Sequence, residues 1–389
     1  MAKIVIIGGG VIGSSTAYNL AVAGHAADVV VVEPDPTYEF AASPRATGGI
    51  RQLFTVPENI RIAQYGHEIY SQFETLMAVD GEPARIDFHR EGYLWLGSGK
   101  ADVDALMANW RIQTANDARI ELLDRKGVKQ RFPSMRVSDI DAAAFSPDDG
   151  YLDPYSVLMG FRRKAVSLGV KYLKDRVVDF EVSGKRIVAV KLESGERLAA
   201  DLFLNCANCW GPELCEKLGM KVPVAPLHRL TFYFEIREKL ESMPLTRHIS
   251  KNVSFRPQGA GYIAGNTKYD EPPGFKWDVD YDYFDEAIWP GLAERVPAFE
   301  ALKVTGAWAG HYDQNSFDNN AILGPWVGGI ENFHIALGFS GHGLMQSPAV
   351  GRAMSEMLLH GRYQTLDLSR LGYQRIIDDK PLADEVPMA

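Results

Sequence analysis

Residues 8–13 read Gly-Gly-Gly-Val-Ile-Gly and satisfy the pattern G-x-G-x-x-G. Glycine is common, so the pattern alone says little; its surroundings say more. Residues 3–7 are a short apolar run rich in β-branched side chains, as expected of a buried parallel strand. Residues 11–23, opened by Val11 and Ile12, read as a helix closed by Gly24, and residues 28–33 (DVVVVE) as a second buried strand. This makes a β-α-β unit of about thirty residues. Gly8 permits a tight turn, Gly10 lets a pyrophosphate approach the backbone, and Gly13 lets the helix pack closely on the strand. The helix start offers free N–H groups and the positive end of its dipole to phosphate. Glu33, twenty residues beyond Gly13, stands where a carboxylate accepts hydrogen bonds from the adenosine ribose and repels a 2′-phosphate. The expectation is an adenine dinucleotide other than NADP; a glycine-rich turn without a ligand is the plainer alternative.

The remaining chain alternates between two patterns. Helical periodicity runs over residues 57–77, 101–116, 124–132 and 154–168, and buried strands over 201–205 and 332–337. Residues 86–96 and 224–265 instead read as strands with turn signals between them, including HRLTFYFEI, NVSFRP and GYIAG. The expected fold is an α/β part plus an α+β part: a Rossmann-like dinucleotide domain (residues 1–85, 145–222 and 315–380) interleaved with an antiparallel-sheet substrate domain (86–144 and 223–314). A net charge of 41 − 50 = −9 argues against a non-specific nucleic-acid binder. No apolar run approaches a spanning helix, and no secretory signal pattern precedes the first strand, so a cytoplasmic protein is expected. Cys206, Cys209 and Cys215 cluster too tightly for a disulfide framework, and the single C-x-x-C has no second pair for zinc. No metal is expected.

A second glycine cluster, Gly338-Phe339-Ser340-Gly341-His342-Gly343, follows the 332–337 strand and opens a helix over residues 344–360. Its free N–H groups suit the pyrimidine edge of a flavin, where negative charge gathers on reduction. Close helix packing is the competing reason for those glycines.

With this cluster the chain resembles the D-amino-acid oxidase superfamily of flavoproteins, in particular its sarcosine and glycine oxidase branch. The segments that carry the resemblance run in order: IVIIGGGVIGSSTAYNLA, SPRATGGIRQLF (43–54), YLDPYSV (151–157), RVVDFEV (176–182), LNCANCWGPEL (204–214), GAWAGHYDQNSFDNNAILGP (306–325) and GFSGHGLMQSPAVGRAMSEMLL (338–359). The resemblance implies FAD. It implies that Gly8, Gly10, Gly13 and Glu33 hold the AMP half, and that Ser43, Arg45, Thr47 and Gly48 lie in the loop passing the pyrophosphate and flavin. It also implies that Val177 meets the adenine, that Ala207 and Trp210 belong to the family's Ala-Gly-x-Trp segment, and that Gly338 and Gly341 to Met345, with His342, Gly343 and Leu344 between them, lie beside the pyrimidine ring. Asn208 replaces the usual glycine of the Ala-Gly-x-Trp segment. Gly310 stands where sarcosine oxidases carry a flavin-linking cysteine, and residues 40–54 lack the histidine used by dimethylglycine-type relatives, so non-covalent FAD is expected. Met345 stands in place of their substrate-holding lysine and Ser254 near their substrate-facing tyrosine; their oxygen-activating lysine falls near Ile263, with Lys268 only nearby.

The implied reaction is removal of hydride from the carbon of a C–N bond, with hydrolysis of the resulting imine to amine and oxo acid. A small amino-acid substrate needs a fixed cation for its carboxylate, and arginine's planar fork suits it. Arg51 is the first candidate. Arg256 offers a second cation, against the reading of a surface charge on an edge strand, and His311 is a third candidate against a purely structural histidine. These spare cations point to a secondary amino acid with two carboxylates, such as iminodiacetate. Rival readings are a dehydrogenase delivering electrons to a quinone or partner protein, a 2-hydroxy-acid oxidase, and a non-catalytic flavin-binding assembly protein.

Overall fold

The computed structural model describes residues 2–266, 268 and 270–382. Two large sheets organise them. The first has six strands in the order Ile322–Pro325, Phe333–Leu337, Leu202–Asn205, Ile4–Ile7, Val29–Val32 and Lys171–Leu173. All neighbours pair in parallel except the edge strand Ile322–Pro325. Its central strands are apolar on both faces because both are covered, and Ile4–Ile7 is buried throughout. A three-stranded antiparallel sheet, Arg197–Ala199, Arg186–Leu192 and Val177–Ser183, accompanies it.

Helix Val11–Leu20 lies against helix Gly343–His360, and small residues set how close they come. A Cβ on Gly351 would stand 2.1 Å from the Ser15 hydroxyl, so no side chain fits there. This contact ties the first segment of the chain to its last long helix and brings both glycine turns to one end of the sheet.

The second sheet has eight strands in the order Lys303–Asn315, Val224–Glu235, Gly261–Gly265, Val253–Gln258, Leu245–His248, Tyr93–Gly97, Ala142–Ser146 and Glu121–Leu123. It is antiparallel apart from the parallel pair Leu245–His248 with Tyr93–Gly97. One face is apolar: Leu94, Leu96, Leu230, Phe232, Phe234 and Phe255 form a core with Phe299 and the helices around residue 290. Strand alternation then assigns the opposite face. Register places Tyr312, Arg229, Arg256, Ser254, Arg247, Trp95 and Tyr93 on it.

Two expected elements differ. The helix expected over 57–77 is Pro57–Ser71 followed by Phe73–Leu76, broken at Gln72, whose φ of −116° leaves the helical range. The strand expected over 86–96 is regular only at Tyr93–Gly97; the segment before it meets the 150s through a bridge, His89 to Tyr151, and through the Asp153 N–H, which donates to the Ile86 carbonyl at 2.8 Å. Among the described residues no helix is long and apolar enough to cross a membrane.

If the Gly351–Ser15 contact governs helix approach, Gly351→Val should destabilise the fold by about 2–3 kcal/mol through overpacking. Thermal unfolding would register this as a lower midpoint than that of a Gly351→Ala variant, which is itself below wild type.

Candidate functional site

A cavity of about 690 Å³ runs from the first glycine turn to the second, a size suited to burying a cofactor. Gly8, at φ +96°, makes the turn, and a Cβ there would sit 2.6 Å from the Cys206 carbonyl oxygen. A Cβ on Gly13 would sit 2.0 Å from the Gly8 oxygen. At Gly10 the nearest atom a Cβ would meet is the Ser43 hydroxyl at 4.0 Å, so the backbone there faces open space. Steric exclusion behind the turn and room in front of it make a cradle for phosphate. The Val11 N–H, at the start of its helix, has the Ser43 hydroxyl at 3.4 Å.

Glu33 lines the cavity beside the first glycine turn. Its carboxylate accepts from the Gly9 N–H at 2.8 Å and the Asp35 N–H at 2.9 Å. Burial pushes its pKa up while these N–H bonds oppose the shift. Val177 lines the same end, opening its strand, and Ala207, Asn208 and Trp210 line the adjoining wall. Asn208 adopts φ +50°, a conformation asparagine tolerates better than most residues, so it replaces glycine without forcing a different turn. Trp210 stacks on Phe275, whose neighbour Trp277 meets Phe40 edge-on.

The second turn is held from behind by Asp313. Its Oδ2 accepts the Gly338 N–H at 2.8 Å, and its own carbonyl accepts from Ser340 at 3.2 Å. Burial raises the Asp313 pKa to about 7 against the N–H groups of Phe339 and Gly338. Gly341 lies on the Tyr312 ring: a Cβ would come within 2.5 Å of it. Close packing therefore accounts for one of these glycines. Phe339, Gly341, Gly343 and Leu344 line the cavity, while Met345 is buried with its carbonyl oxygen against Gly66.

Of the expected loop residues, Ser43 lines the cavity. Arg45 stands behind the lining, donating to the Glu39 carbonyl at 2.6 Å and the Ala309 carbonyl at 2.6 Å, with its guanidinium over the cavity-lining rings of Phe40 and Trp277. Its stem also fills the space beside Gly310, where a Cβ would meet the Arg45 Cβ at 3.1 Å. Thr47 and Gly48 are engaged by Arg256, which donates to the Thr47 carbonyl at 2.5 Å and the Pro257 carbonyl at 2.7 Å and lies over the Tyr151 ring.

The reading of Arg256 as a surface charge on an edge strand is corrected. Its strand is interior to the sheet, the residue is 4% exposed, and burial brings its pKa down to about 10. Arg51 and His342 come together. Arg51 Nη2 lies 2.9 Å from His342 Nε2, Nη1 donates to the Leu53 carbonyl at 2.5 Å, and the guanidinium lies over Phe54 and Trp95. Burial and this cation push the His342 pKa down to about 3, so the imidazole is neutral and its Nε2 accepts from Arg51.

His311 alternates with Tyr312 along the strand, and both line the cavity. It accepts the Lys276 N–H at Nε2 at 2.9 Å, packs against Trp277, and burial lowers its pKa to about 4. Arg229, Arg247, Tyr93 and Asp313 were not singled out from sequence. Alternation in HRLTFYFEI does separate Arg229, Thr231 and Tyr233 from Leu230, Phe232 and Phe234, and would have pointed to Arg229.

The three cysteines are buried free thiols, and no cluster of metal-binding side chains occurs among the described residues. Cys206 and Cys209 have pKa values raised by burial, so neither is a reactive thiolate.

Residues 3–357 match the family of FAD dependent oxidoreductases known as DAO. The bovine (Bos taurus) FAD-dependent oxidoreductase domain-containing protein 1 is 35% identical over 414 residues, covering 96% of this chain and 84% of that protein. The crystal structure of L-proline dehydrogenase from P. horikoshii superposes with a TM-score of 0.89 at 25% identity, covering 98% of this chain and 99% of that one. Mouse (Mus musculus) mitochondrial sarcosine dehydrogenase is 25% identical over 382 residues, covering 93% of this chain and 40% of that protein. If Glu33 holds the adenosine ribose, Glu33→Gln weakens FAD binding by about tenfold, the scale of one charge-assisted hydrogen bond, in fluorescence titrations of apoprotein with FAD. Unchanged affinity would remove Glu33 from the site. With residues 3–357 matched and a relative at 35% identity across most of its length, the chain belongs to the FAD dependent oxidoreductase (DAO) family, and FAD is its cofactor.

Proposed function

We propose that this protein oxidises the C–N bond of a small secondary amino acid, releasing an amine and an oxo acid after the imine is hydrolysed. The observation that carries this reading is Arg51, a half-buried guanidinium aligned by neutral His342 beside the second glycine turn and walled by Phe54 and Trp95. The cofactor fits the residues present: an open cradle at Gly10, a carboxylate at Glu33, and a cavity continuing to Tyr312 and Leu344. When bound non-covalently, FAD supplies the acceptor for the substrate's hydride and passes two electrons to oxygen, which with two protons becomes hydrogen peroxide.

The chain's own contribution is placement. Arg51 takes the substrate carboxylate through its two terminal nitrogens. His342 keeps the fork in one orientation at no cost in charge, because it is neutral. Asp313, next to Tyr312, clamps the second glycine turn by accepting the Gly338 N–H. Phe54, Trp95 and the buried Tyr93 exclude water, which strengthens each charged contact. No base is required if the amine enters uncharged. Arg45 beside Gly310 supports non-covalent attachment, because the side chain of a cysteine there would meet the Arg45 stem. Three buried free thiols are consistent with residence in a reducing compartment such as the cytoplasm.

A second reading has its own support: electrons leave to a quinone or partner protein in place of oxygen. Both L-proline dehydrogenase and sarcosine dehydrogenase are named as dehydrogenases. Anaerobic addition of secondary amino acids should bleach the flavin absorbance, and Arg51→Met should lower kcat/KM by about 100-fold through loss of two charge-assisted hydrogen bonds. Rapid return of colour with peroxide on admitting air supports the oxidase. Slow return without peroxide supports the dehydrogenase, and failure of every amino acid to bleach the flavin contradicts both.

A further inference from the structure

Residues 271–278, Glu-Pro-Pro-Gly-Phe-Lys-Trp-Asp, form a strap that belongs to no strand or helix. Pro272 and Pro273 account for this, because two successive residues without an N–H cannot join a sheet ladder. The first donor after them, the Gly274 N–H, goes to the Pro226 carbonyl at 2.9 Å. The Lys276 N–H goes to His311 Nε2 at 2.9 Å. The Lys276 ammonium reaches Glu271 at 3.0 Å, and the other oxygen of that carboxylate lies 3.2 Å from His228 Nδ1. Pro226 and His228 belong to strand Val224–Glu235, and His311 to the neighbouring edge strand Lys303–Asn315. The strap is therefore fastened across the edge of the eight-stranded sheet.

Its side chains sort by side. Pro272, Pro273, Lys276 and Asp278 are exposed, whereas Phe275 and Trp277 line the long cavity. The strap thus separates the cavity from solvent. Its two rings lie within 10° of parallel, with centroids 6.4 Å apart. Phe275 stacks on Trp210 at 5.0 Å, and Trp277 meets Phe40 edge-on at 4.7 Å. Trp210 and Phe40 line the same cavity, one from the short helix Asn208–Trp210 and the other from the loop after strand Val29–Val32. Four rings in contact therefore join two walls. Arg45 braces one end, its guanidinium over Phe40 and Trp277. This row is not ordinary core, since Phe40 and Phe275 each keep 45% exposure. Uncovered aromatic area beside a cavity favours a large planar occupant, which removes that area from water.

His311 sits beneath the strap, 4.4 Å from the Trp277 ring and 5.3 Å from that of Phe275. Burial, with His228 and Arg45 facing it, holds its imidazole neutral at ordinary pH, as an acceptor for the Lys276 N–H must be.

We propose that residues 271–278 are a roof over FAD, that Phe275 and Trp277 are cofactor-binding residues, and that this roof retains a cofactor held without a covalent bond. His311 is the fastening that keeps the roof down. The roof must lift for FAD to enter or leave, so it governs both rates.

The test measures both. FAD-loaded protein is diluted and release is followed by the fluorescence of free flavin; entry is followed by quenching when FAD meets apoprotein. Trp277→Ala and Phe275→Ala each remove a ring, and His311→Leu removes a fastening while leaving both rings. Each should speed release about tenfold, the scale of one half-buried ring. Each should also speed entry by about threefold or more. Trp277→Phe, which keeps a ring, should return both rates most of the way to wild type. Glu33→Gln provides the contrast, because a lost contact away from the roof speeds release and leaves entry alone. Thermal unfolding checks the fold, and Phe275→Ala, whose ring is already half exposed, carries the test if Trp277→Ala does not fold. Wild-type release in every variant overturns the proposal. Faster release with unchanged entry overturns it too, since the rings would then be a fixed wall.

Discussion

The structure depends on a contact that admits no side chain. Gly8 lies so close to the Cys206 carbonyl, and Gly13 to the Gly8 carbonyl, that a methyl group at either would overlap backbone. That exclusion presses helix Val11–Leu20 onto strand Ile4–Ile7 and sets strand Leu202–Asn205 beside it. The same pattern recurs where Gly351 meets Ser15 and where Gly341 meets the Tyr312 ring. At Gly8 and Gly13 the tight approach removes bulk behind the turn, while Gly10 in front of it faces open space. A cofactor cradle and a packed core are thus produced by the same small residues, which is why bulk at these positions costs both stability and binding.

The two ends of the cavity differ in kind. At the Glu33 end, charge is satisfied inside the protein: the carboxylate accepts from two backbone N–H groups. At the far end, neutral His342 and buried Asp313 shape the turn, while arginines supply charge facing outward from the sheet. Arg256 shows that a buried cation on this face can be structural. Its donors go to loop carbonyls, and its role is to hold Thr47 and Gly48 in place.

Much of this was legible in the sequence, for physical reasons. The first β-α-β unit declares itself because apolar runs, glycine spacing and Glu33 are local features, and the observed strands Ile4–Ile7 and Val29–Val32 lie where those runs stand. The 332–337 run likewise becomes strand Phe333–Leu337 leading into its helix. What was not legible depends on pairing. Whether Arg256 sits at an edge or in the middle follows from which strands flank Val253–Gln258, and nothing local to that segment states it. His311 and Tyr312 are neighbours in sequence and both line the cavity, yet alternation sends their side chains to opposite faces of the strand, and the partners of each follow from pairing. Helix 57–71 ends at Gln72 by a backbone turn with no proline or glycine to mark it.

The central claim is that the long cavity holds FAD without a covalent bond, with Arg45 packed where a linking side chain at position 310 would stand. Acid precipitation of the flavin-loaded protein, followed by chromatography of the supernatant, tests it directly. The account predicts one FAD released per chain and a colourless pellet. A yellow pellet retaining the flavin, or release of a mononucleotide in place of FAD, would contradict it.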